Sequence, residues 1–393
     1  MGLVTPWTAT TSFLTFFSSS LYLPKVQSYP LSNPYRLICR CQSVSNDLQF
    51  VLHDALDACG VDTTNARAAR EDFCSQIGRF TTLERQTSIC NRGVDLGIIA
   101  FQIAAEDHSL LSQSNVPFPV DTFVDRLDDL SMGYFPHHKF SASPKDFIGN
   151  LESYLYVHKG FQRKNVTDQS GPQTLYLHYA LANRSGSALM LSLIYSEVLK
   201  MLHLWGLFNF DVEIDFPHDL TTLPRGYDKK NSEMADQPHI MTSQSLLVEI
   251  LRTQKEAFWP FQFGNTKSLF LRAADAAHCI DGPSLNMESR KFEIESTEAS
   301  SDRLRHGVWN RSNGNMRCAL SACERLILLA SNSDELRDYG ILLYHCGFYK
   351  ESLQYLNSYQ VSKNHSLQNG SSNPFSNQEE DAVNNLMFRL NLV

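Results

Sequence analysis

Several features that mark common enzyme and membrane-protein classes are missing from this chain of 393 residues. There is no GxGxxG, no phosphate-binding GxxxxGK[ST] loop and no GxSxG, so nucleotide-dependent enzymes and common serine hydrolases have no support. The nine cysteines are scattered without a CxxC pair, which indicates reduced thiols and not a disulfide frame or a zinc ribbon. No basic cluster interleaved with aromatics occurs, and the net charge of −8 opposes binding to nucleic acid.

Acidic residues are also missing from the first part of the chain, where the first one is Asp47. Three basic residues and many serines and threonines precede it. The apolar segment 12–23 is shorter than the roughly 20 residues of a membrane span, and no basic residue comes before it as in a secretory signal. We therefore predict a transit peptide over residues 1–46 that directs the protein to the chloroplast stroma. A mitochondrial address and a disordered cytosolic tail are the alternatives.

Residues 47–160 have the spacing of apolar residues that is typical of helices. Asp121 to Met132 is one example, and Ser143-Pro144 is another because serine caps a helix and proline suits its first position. Four acidic residues share the first of these helices: Asp121, Asp125, Asp128 and Asp129. A solvated helix face is the simplest interpretation, and a docking surface for a basic partner is the alternative.

The middle of the chain combines one very apolar helix with predicted strands. Residues 187–202 are apolar nearly all round, which indicates a helix buried on most sides. Asn209 to Phe216 alternates apolar and acidic residues and is predicted to be a half-buried strand. Ser245–Leu251 and Glu256–Gly264 are predicted as a second and a third strand, and residues 161–172 as a surface loop.

The last third of the chain is predicted to return to helices after a linker at 281–314. A helix at Arg317–Leu329 precedes a pair of helices, Leu336–Cys346 and Tyr349–Tyr359, joined by the turn Cys346-Gly347-Phe348. Residues 361–393 are predicted to be a mobile tail that can hold a short helix, because 361–378 is rich in serine and asparagine.

Two segments carry a resemblance to a known family. RDYGILLYHCGFYKESLQYL (Arg337–Leu356) resembles a tetratricopeptide helix–turn–helix, with one and a half repeats at most. NRSGSALMLSLIYSEVLKML (Asn183–Leu202) resembles the central helix of transglutaminase-like cores. Together with the helical front half and the Trp-Pro-Phe element, they make residues 85–360 similar to the SirB-type family, a transglutaminase-like core followed by tetratricopeptide-like helices.

The resemblance implies a papain-like α+β core. In active relatives a cysteine at the start of the helix attacks a carbonyl, a histidine on the next strand is its base, and an acid on a third strand orients the histidine. Here the helix start holds Ser187 and no cysteine, and Trp259 precedes Pro260-Phe261 where the family often has an acid. SirB-type members commonly lack the cysteine, so its absence agrees with the resemblance.

The candidate catalytic residues are therefore Ser187, His239 and His218. Ser187 is interpreted as a helix cap, with a nucleophile as the alternative. His239 is preferred over His218 as a base because it precedes the apolar segment Ser245–Leu251. His137-His138 with His218 lacks the spacing of common zinc sites, so neither a metal nor a cofactor is predicted.

We accordingly predict a helix-rich α+β fold, with a helical front half, a transglutaminase-like core with a small antiparallel sheet, and C-terminal tetratricopeptide-like helices. The predicted domains are 1–46 (transit peptide), 47–280 (front half and core), 281–314 (linker), 315–360 (tetratricopeptide-like helices) and 361–393 (tail). The predicted function is a non-catalytic protein-binding or scaffold module of the chloroplast, with protein partners and without nucleic acid or membrane insertion. The alternative is a serine-based amidase or acyltransferase that uses Ser187 and His239.

Overall fold

The structure, a computed structural model, describes residues 50–58, 60–83, 95–112, 116–137, 143–164, 172–215, 222–228, 243–261, 266–277, 315–329, 332–367 and 375–392. The helices within these ranges are α1 (Val51–Ala58), α2 (Thr64–Leu83), α3 (Leu96–Ser112), α4 (Val120–Met132), α5 (Pro144–Glu152), α6 (Leu177–Asn183), α7 (Ala188–Leu204), α8 (Ser243–Phe258), α9 (Leu269–Ala276), α10 (Met316–Leu329), α11 (Ser333–His345), α12 (Tyr349–Leu367) and α13 (Phe375–Asn391). Short 3₁₀ turns lie at Phe135–His137 and Pro172–Leu175, and a π-helical turn at Ser153–His158 continues α5.

The predicted central helix is α7, and it is buried on almost every side. Its apolar residues occupy all faces, so it packs against α4 on one side and α3, α6 and α8 on others. Val198, Leu199 and Leu202 have no exposed surface. The surrounding helices bury their apolar surfaces against α7, so this helix is the centre of the hydrophobic core.

Helix starts in the front half follow the predicted capping rules. The side chain of Ser143 accepts a hydrogen bond from the backbone N–H of Asp146, and Pro144 occupies the first turn of α5. Proline loses nothing there because that N–H has no partner within a helix. The predicted helices of the front half are present within the described ranges, which confirms the helical interpretation of that part of the chain.

Two small two-stranded sheets complete the core. β1 (Gln162–Arg163) pairs in parallel with β2 (Ser185–Gly186), so part of the predicted 161–172 loop is a strand. β3 (Val212–Asp215) pairs antiparallel with β4 (Arg225–Asp228). β3 confirms the predicted strand, but the half-buried pattern is wrong at Glu213, which is buried and accepts a hydrogen bond of 2.6 Å from the hydroxyl of Tyr227.

The prediction of a strand at Ser245–Leu251 is wrong, because this segment lies within α8. The predicted strand Glu256–Gly264 is wrong at its first three residues, which end α8, and residues 262–264 lie outside the described residues. The buried residues of this helix recur at helical spacing: Leu246, Leu247, Ile250, Leu251, Gln254, Lys255 and Phe258. A short apolar run such as SLLVEIL fits a strand and a buried helix equally well, and the helical spacing becomes visible only over the whole 16 residues.

The C-terminal helices pack as a stack onto the front half. α10 lies against α8 and α11, α11 pairs with α12, and α13 packs against α12 and α9. The short helix predicted within the tail at 361–393 is a helix of 17 residues, α13 (Phe375–Asn391), and α12 continues into the tail to Leu367. α13 buries Ala382, Val383 and Leu386, which a simple count of serine and asparagine does not reveal.

All described residues belong to one compact unit, Cys41–Val393. The predicted transit peptide and the linker at 281–314 lie outside the described residues, and the domain boundaries remain predictions. Within the described part of the chain, the longest apolar helices fall short of what a membrane crossing requires.

Candidate functional site

The start of α7 is the place where a papain-like nucleophile would lie. The backbone reaches it through β2, which is held by hydrogen bonds from Gln162 N to Arg184 O (2.9 Å) and from Lys164 N to Gly186 O (2.8 Å). A Cβ atom at Gly186 would lie 2.8 Å from the Cβ atom of Ala180, so only glycine fits between β2 and α6. The local sequence therefore packs this helix start tightly against the core.

Ser187 is the N-cap of α7. Its hydroxyl oxygen accepts a hydrogen bond of 3.3 Å from Met190 N, and its own N–H donates to Thr174 O at 3.2 Å. Its side chain is buried, with a residual exposure of 7%. Within the described ranges, no histidine forms a hydrogen bond with Ser187. The cap interpretation is confirmed by this geometry.

The predicted bases fall on parts of the chain that are not described. His218 and His239 both lie outside the described residues, so their pairing with Ser187 stays a prediction. The preference for His239 has lost its reason, because the segment that follows it is the helix α8 and not a strand. In the described part of the chain, β3 ends at Asp215, three residues before His218.

The Trp-Pro-Phe element follows α8 and packs into the hydrophobic core. Trp259 is fully buried, and its backbone N–H donates to the carbonyl oxygen of Glu256 at 3.2 Å. The ring of Phe261 lies 4.2 Å from the ring of His345, at the end of α11. The residue before Pro260-Phe261 is therefore a buried indole without a carboxylate, and the element packs against the C-terminal helices.

The predicted acidic helix is α4, and most of its acids face water. Asp121, Asp125 and Asp129 are exposed, whereas Asp128 is half-buried. Burial and the nearby carboxylates of Asp95 and Asp125 raise the pKa of Asp128. The arrangement is that of a solvated helix face.

Neither a thiol nor a histidine cluster offers another reactive centre in the described part of the chain. Cys318 and Cys323 are buried, and burial raises the pKa of each thiol well above its ordinary value, which keeps them protonated. His137 packs its ring against His158 at 4.7 Å, and the described residues contain no group of metal-binding side chains. His138 lies outside the described residues.

A buried ionic cluster between the front half and α10 was missed by the sequence analysis. Arg70 on α2 binds Glu106 on α3 with two nitrogens, at 2.9 Å from Nε and 2.6 Å from Nη2. Its Nη1 donates to Glu324 on α10 at 2.9 Å. Glu324 also accepts hydrogen bonds from the hydroxyl of Tyr339 and the N–H of Leu52.

Arg325 forms the other half of this cluster. Its guanidinium lies 3.0 Å from Glu106 and 2.6 Å from Asp107, whose second oxygen accepts a hydrogen bond of 2.8 Å from the hydroxyl of Tyr176. The five charged residues Arg70, Glu106, Asp107, Glu324 and Arg325 have at most 2% exposure. Every carboxylate in the cluster is thus occupied by protein donors and shielded from solvent.

The charges in this cluster set the protonation of its acids. Burial opposes the ionisation of Glu106, but Arg325 and Arg70 outweigh it and hold the pKa of Glu106 well below its usual value. Burial dominates at Asp107 and raises the pKa of that carboxyl. A cluster so deeply buried and paired with protein donors has no access to a substrate, so its role is structural. The adjacent charged pairs Glu106-Asp107 and Glu324-Arg325, each inside an otherwise apolar helix, are the sequence signal that could have revealed it.

A second ionic cluster joins α8 to the C-terminal helices. Lys255 donates to Glu335 at 2.6 Å and to Asp338 at 2.8 Å, and Arg337 contacts Asp338 at 3.0 Å. Burial opposes the charge of Lys255, but Asp338 outweighs it, so the pKa of Lys255 is raised. Arg337 also pairs with Glu379 of α13 at 2.5 Å. These pairs fix the orientation of α11 between α8 and α13.

Residues 121–205 match the family model of the transglutaminase-like superfamily. The match runs from α4 to the end of α7 and includes the helix start with Ser187. No curated protein and no solved structure matches the chain. The chain therefore contains a transglutaminase-like domain in a helix-rich fold, and the matched part ends before β3.

Proposed function

We propose that this protein is a non-catalytic, transglutaminase-like binding or scaffold module of the SirB type. The main support is the state of Ser187, the residue at the position of the nucleophile. Its oxygen is used to cap α7, its side chain is buried, and the acid of active relatives is replaced by the buried Trp259. Among the described residues, no histidine and no carboxylate forms a hydrogen bond with Ser187, and a serine needs such a base and orienting group to become reactive.

The C-terminal helices supply the second part of the proposal, a tetratricopeptide-like packing unit. α11 and α12 form a helical hairpin whose turn has Gly347 at φ +82°. Gly340 lets the helices approach closely, since a Cβ atom there would lie 2.9 Å from the side chain of Leu356. Small residues at such positions are a feature of paired helices in repeat proteins.

The function test measures acyl-transfer chemistry and partner binding on the same preparations. Full-length protein is incubated with a glutaminyl peptide and an amine, and released ammonia is measured beside an active papain-like enzyme. Ser187→Asn is the matched variant, because asparagine retains the cap but has no hydroxyl nucleophile. We expect no turnover by either form, and identical sets of proteins after affinity purification from isolated plastids. Turnover that disappears in Ser187→Asn would establish the serine-based amidase or acyltransferase instead.

We also propose the chloroplast stroma as the location, on the composition of residues 1–46. The segment has no acidic residue, three basic residues and many hydroxyl side chains, as transit peptides do. A fusion of residues 1–46 to a fluorescent protein is expected to enter isolated chloroplasts and to be shortened there. Import into mitochondria alone, or into neither organelle, would contradict this location.

A further inference from the structure

Large apolar side chains are exposed together at one end of the transglutaminase-like domain. Three segments meet there: the end of α4 with the 3₁₀ turn after it, the π-helical turn, and the end of α7. The rings of Phe135 and Trp205 stack at 5.2 Å, and the rings of His137 and His158 lie 4.7 Å apart, which joins the three segments.

The exposure of these side chains is unusual for this protein. Phe135 is 47% exposed and Trp205 37%, although their rings are in contact. Met132, Leu204 and Val157 on the same three segments are also exposed. These five account for half of the ten large hydrophobic residues that are exposed in the described part of the chain. We call them the aromatic surface. Exposed large apolar side chains grouped on neighbouring segments in this way are typical of a protein interaction site.

The three segments that carry the aromatic surface contain no acidic residue, although the chain as a whole is acidic. Residues 130–137, 154–160 and 201–210 contain one lysine and three histidines but no aspartate or glutamate, in a chain with 42 acidic residues. Lys159 lies in this surface, with its Nζ 5.3 Å from the ring centroid of Tyr154. Acids flank these segments in the sequence at Asp129 on α4, at Glu152, whose carboxylate accepts a hydrogen bond of 3.1 Å from Gly226 N, and at Asp211.

From these observations we infer that the aromatic surface binds an acidic peptide segment of a partner protein that carries a large apolar side chain. The apolar side chain would pack on the stacked rings of Phe135 and Trp205, and the carboxylates would face Lys159 and the histidines. Aromatic residues in the middle of an interface carry much of the binding energy, and charges at the rim select the partner. The inference rests on the proposed function in one respect, namely that this protein binds another protein.

The test uses random twelve-residue peptides displayed on phage. They are selected on the full-length protein and on the double variant Phe135→Ser/Trp205→Ser. Selected peptides are then synthesised with a fluorescent label, and their Kd values are measured by anisotropy. Phe388→Ser is the matched control, because Phe388 is an exposed phenylalanine on α13. Thermal unfolding shows whether each variant is folded.

We expect the peptides selected on the wild-type protein to combine aspartate or glutamate with an aromatic or leucine residue. Their Kd should rise at least tenfold in Phe135→Ser/Trp205→Ser and several-fold in Lys159→Glu, and stay unchanged in Phe388→Ser. Basic peptides, equal binding by the folded double variant, or no selected peptide would overturn the inference. It would also be overturned by a wild-type dimer that the double variant lacks, since a second copy would then cover the surface.

These outcomes are separable from those of the proposed function. If no ammonia is released and plastid partners still bind to Phe135→Ser/Trp205→Ser, the inference about the aromatic surface fails and the non-catalytic binding function stands. If Ser187 proves catalytic while the selected peptides behave as expected, the non-catalytic function fails and the inference about the aromatic surface stands.

Discussion

At the scale of single residues, the charged groups of this protein are held in two very different environments. Arg67 on α2 pairs with Asp54 and Asp57 near the surface, whereas Arg70, one turn later, is fully buried against Glu106 and Glu324. An arginine–carboxylate pair therefore contributes differently to the stability of the fold at the two positions. A surface pair is screened by water, while removing one member of a buried pair leaves a charge that nothing compensates.

The buried cluster gives the first prediction. Arg325→Leu removes the guanidinium between Glu106 and Asp107, so we expect the free energy of unfolding to fall by about 3–5 kcal/mol. Arg67→Ala is the control, and its loss is expected to be below about 1 kcal/mol. Both are measured by urea unfolding followed by circular dichroism. Similar losses for the two variants would contradict a special role for the buried cluster.

Glu197 gives a prediction of pH dependence. This residue of α7 is buried beside Lys200 and Asp95; burial, the largest effect, raises its pKa to about 7 despite the attraction of Lys200. A raised carboxyl pKa stabilises the folded protein at low pH, and this contribution is lost as pH rises from the unfolded value of about 4.3 towards 7. We therefore expect Glu197→Gln to gain up to about 3 kcal/mol relative to wild type between pH 4 and pH 8.

Urea unfolding of wild type and Glu197→Gln at several pH values measures this difference. Stability curves that stay parallel across the range would show that the carboxyl of Glu197 does not hold a proton in the folded protein.

At the scale of single residues, the sequence predicted helix caps correctly but did not predict the partners of the buried charges. Ser143 and Ser187 were both recognised as caps, because an N-cap depends on the residue itself and the few positions after it. The partners of Arg70 and Arg325 lie on other helices, and no local pattern states which helices meet. That is why a cluster with five buried charges escaped prediction.

At the scale of elements, the length of an apolar pattern decided which predictions held. The 17 residues of α7 were recognised because the pattern extends over more than four turns. The segments later found in α8 were divided into two short runs, and each run alone is compatible with a strand. The serine- and asparagine-rich composition of 361–378 likewise concealed the length of α13, which was predicted only as a short helix within the tail.

The hairpin of α11 and α12 gives a prediction at this scale. Gly340→Ala would place a Cβ atom 2.9 Å from the side chain of Leu356, so we expect a loss of about 1–3 kcal/mol from overpacking. Gly149→Ala is the control: it lies on α5 with nothing within 4 Å of its Cβ position, so a gain of about 0.5–1 kcal/mol is expected from helix propensity. Thermal unfolding of both variants measures the contrast, and equal effects would mean that α11 and α12 are less closely packed than described.

At the scale of the whole molecule, the transglutaminase-like region and the C-terminal helices share one core. Lys255 connects α8 to α11, and Arg325 connects α10 to α3. A unit of one and a half repeats is too small to form its own core, and the C-terminal helices pack against α8 and α9. Which helix faces take part was not predictable from the sequence.

Cooperative unfolding is the corresponding prediction. We expect guanidinium unfolding to give one transition, with the same midpoint for the fluorescence of buried Trp259 and for the loss of helix measured by circular dichroism. A variant that combines Trp7→Phe, Trp205→Phe and Trp309→Phe leaves Trp259 as the single indole of the chain, so that its fluorescence is measured alone. Two separate midpoints would indicate that the C-terminal helices unfold as an independent domain.

The hydrogen bond from Leu52 N to Glu324, at 3.0 Å and 272 positions apart in the chain, has a consequence for biosynthesis. While the ribosome is still translating the middle of the protein, α1 to α3 exist without the acid and the guanidinium that α10 contributes. Glu324 and Arg325 are synthesised only after more than four fifths of the polypeptide. Until then Glu106 and Arg70 stay hydrated, because the buried cluster cannot yet form. Such distant pairings slow folding and leave apolar surface exposed for longer, so this protein is expected to depend on chaperones during its synthesis.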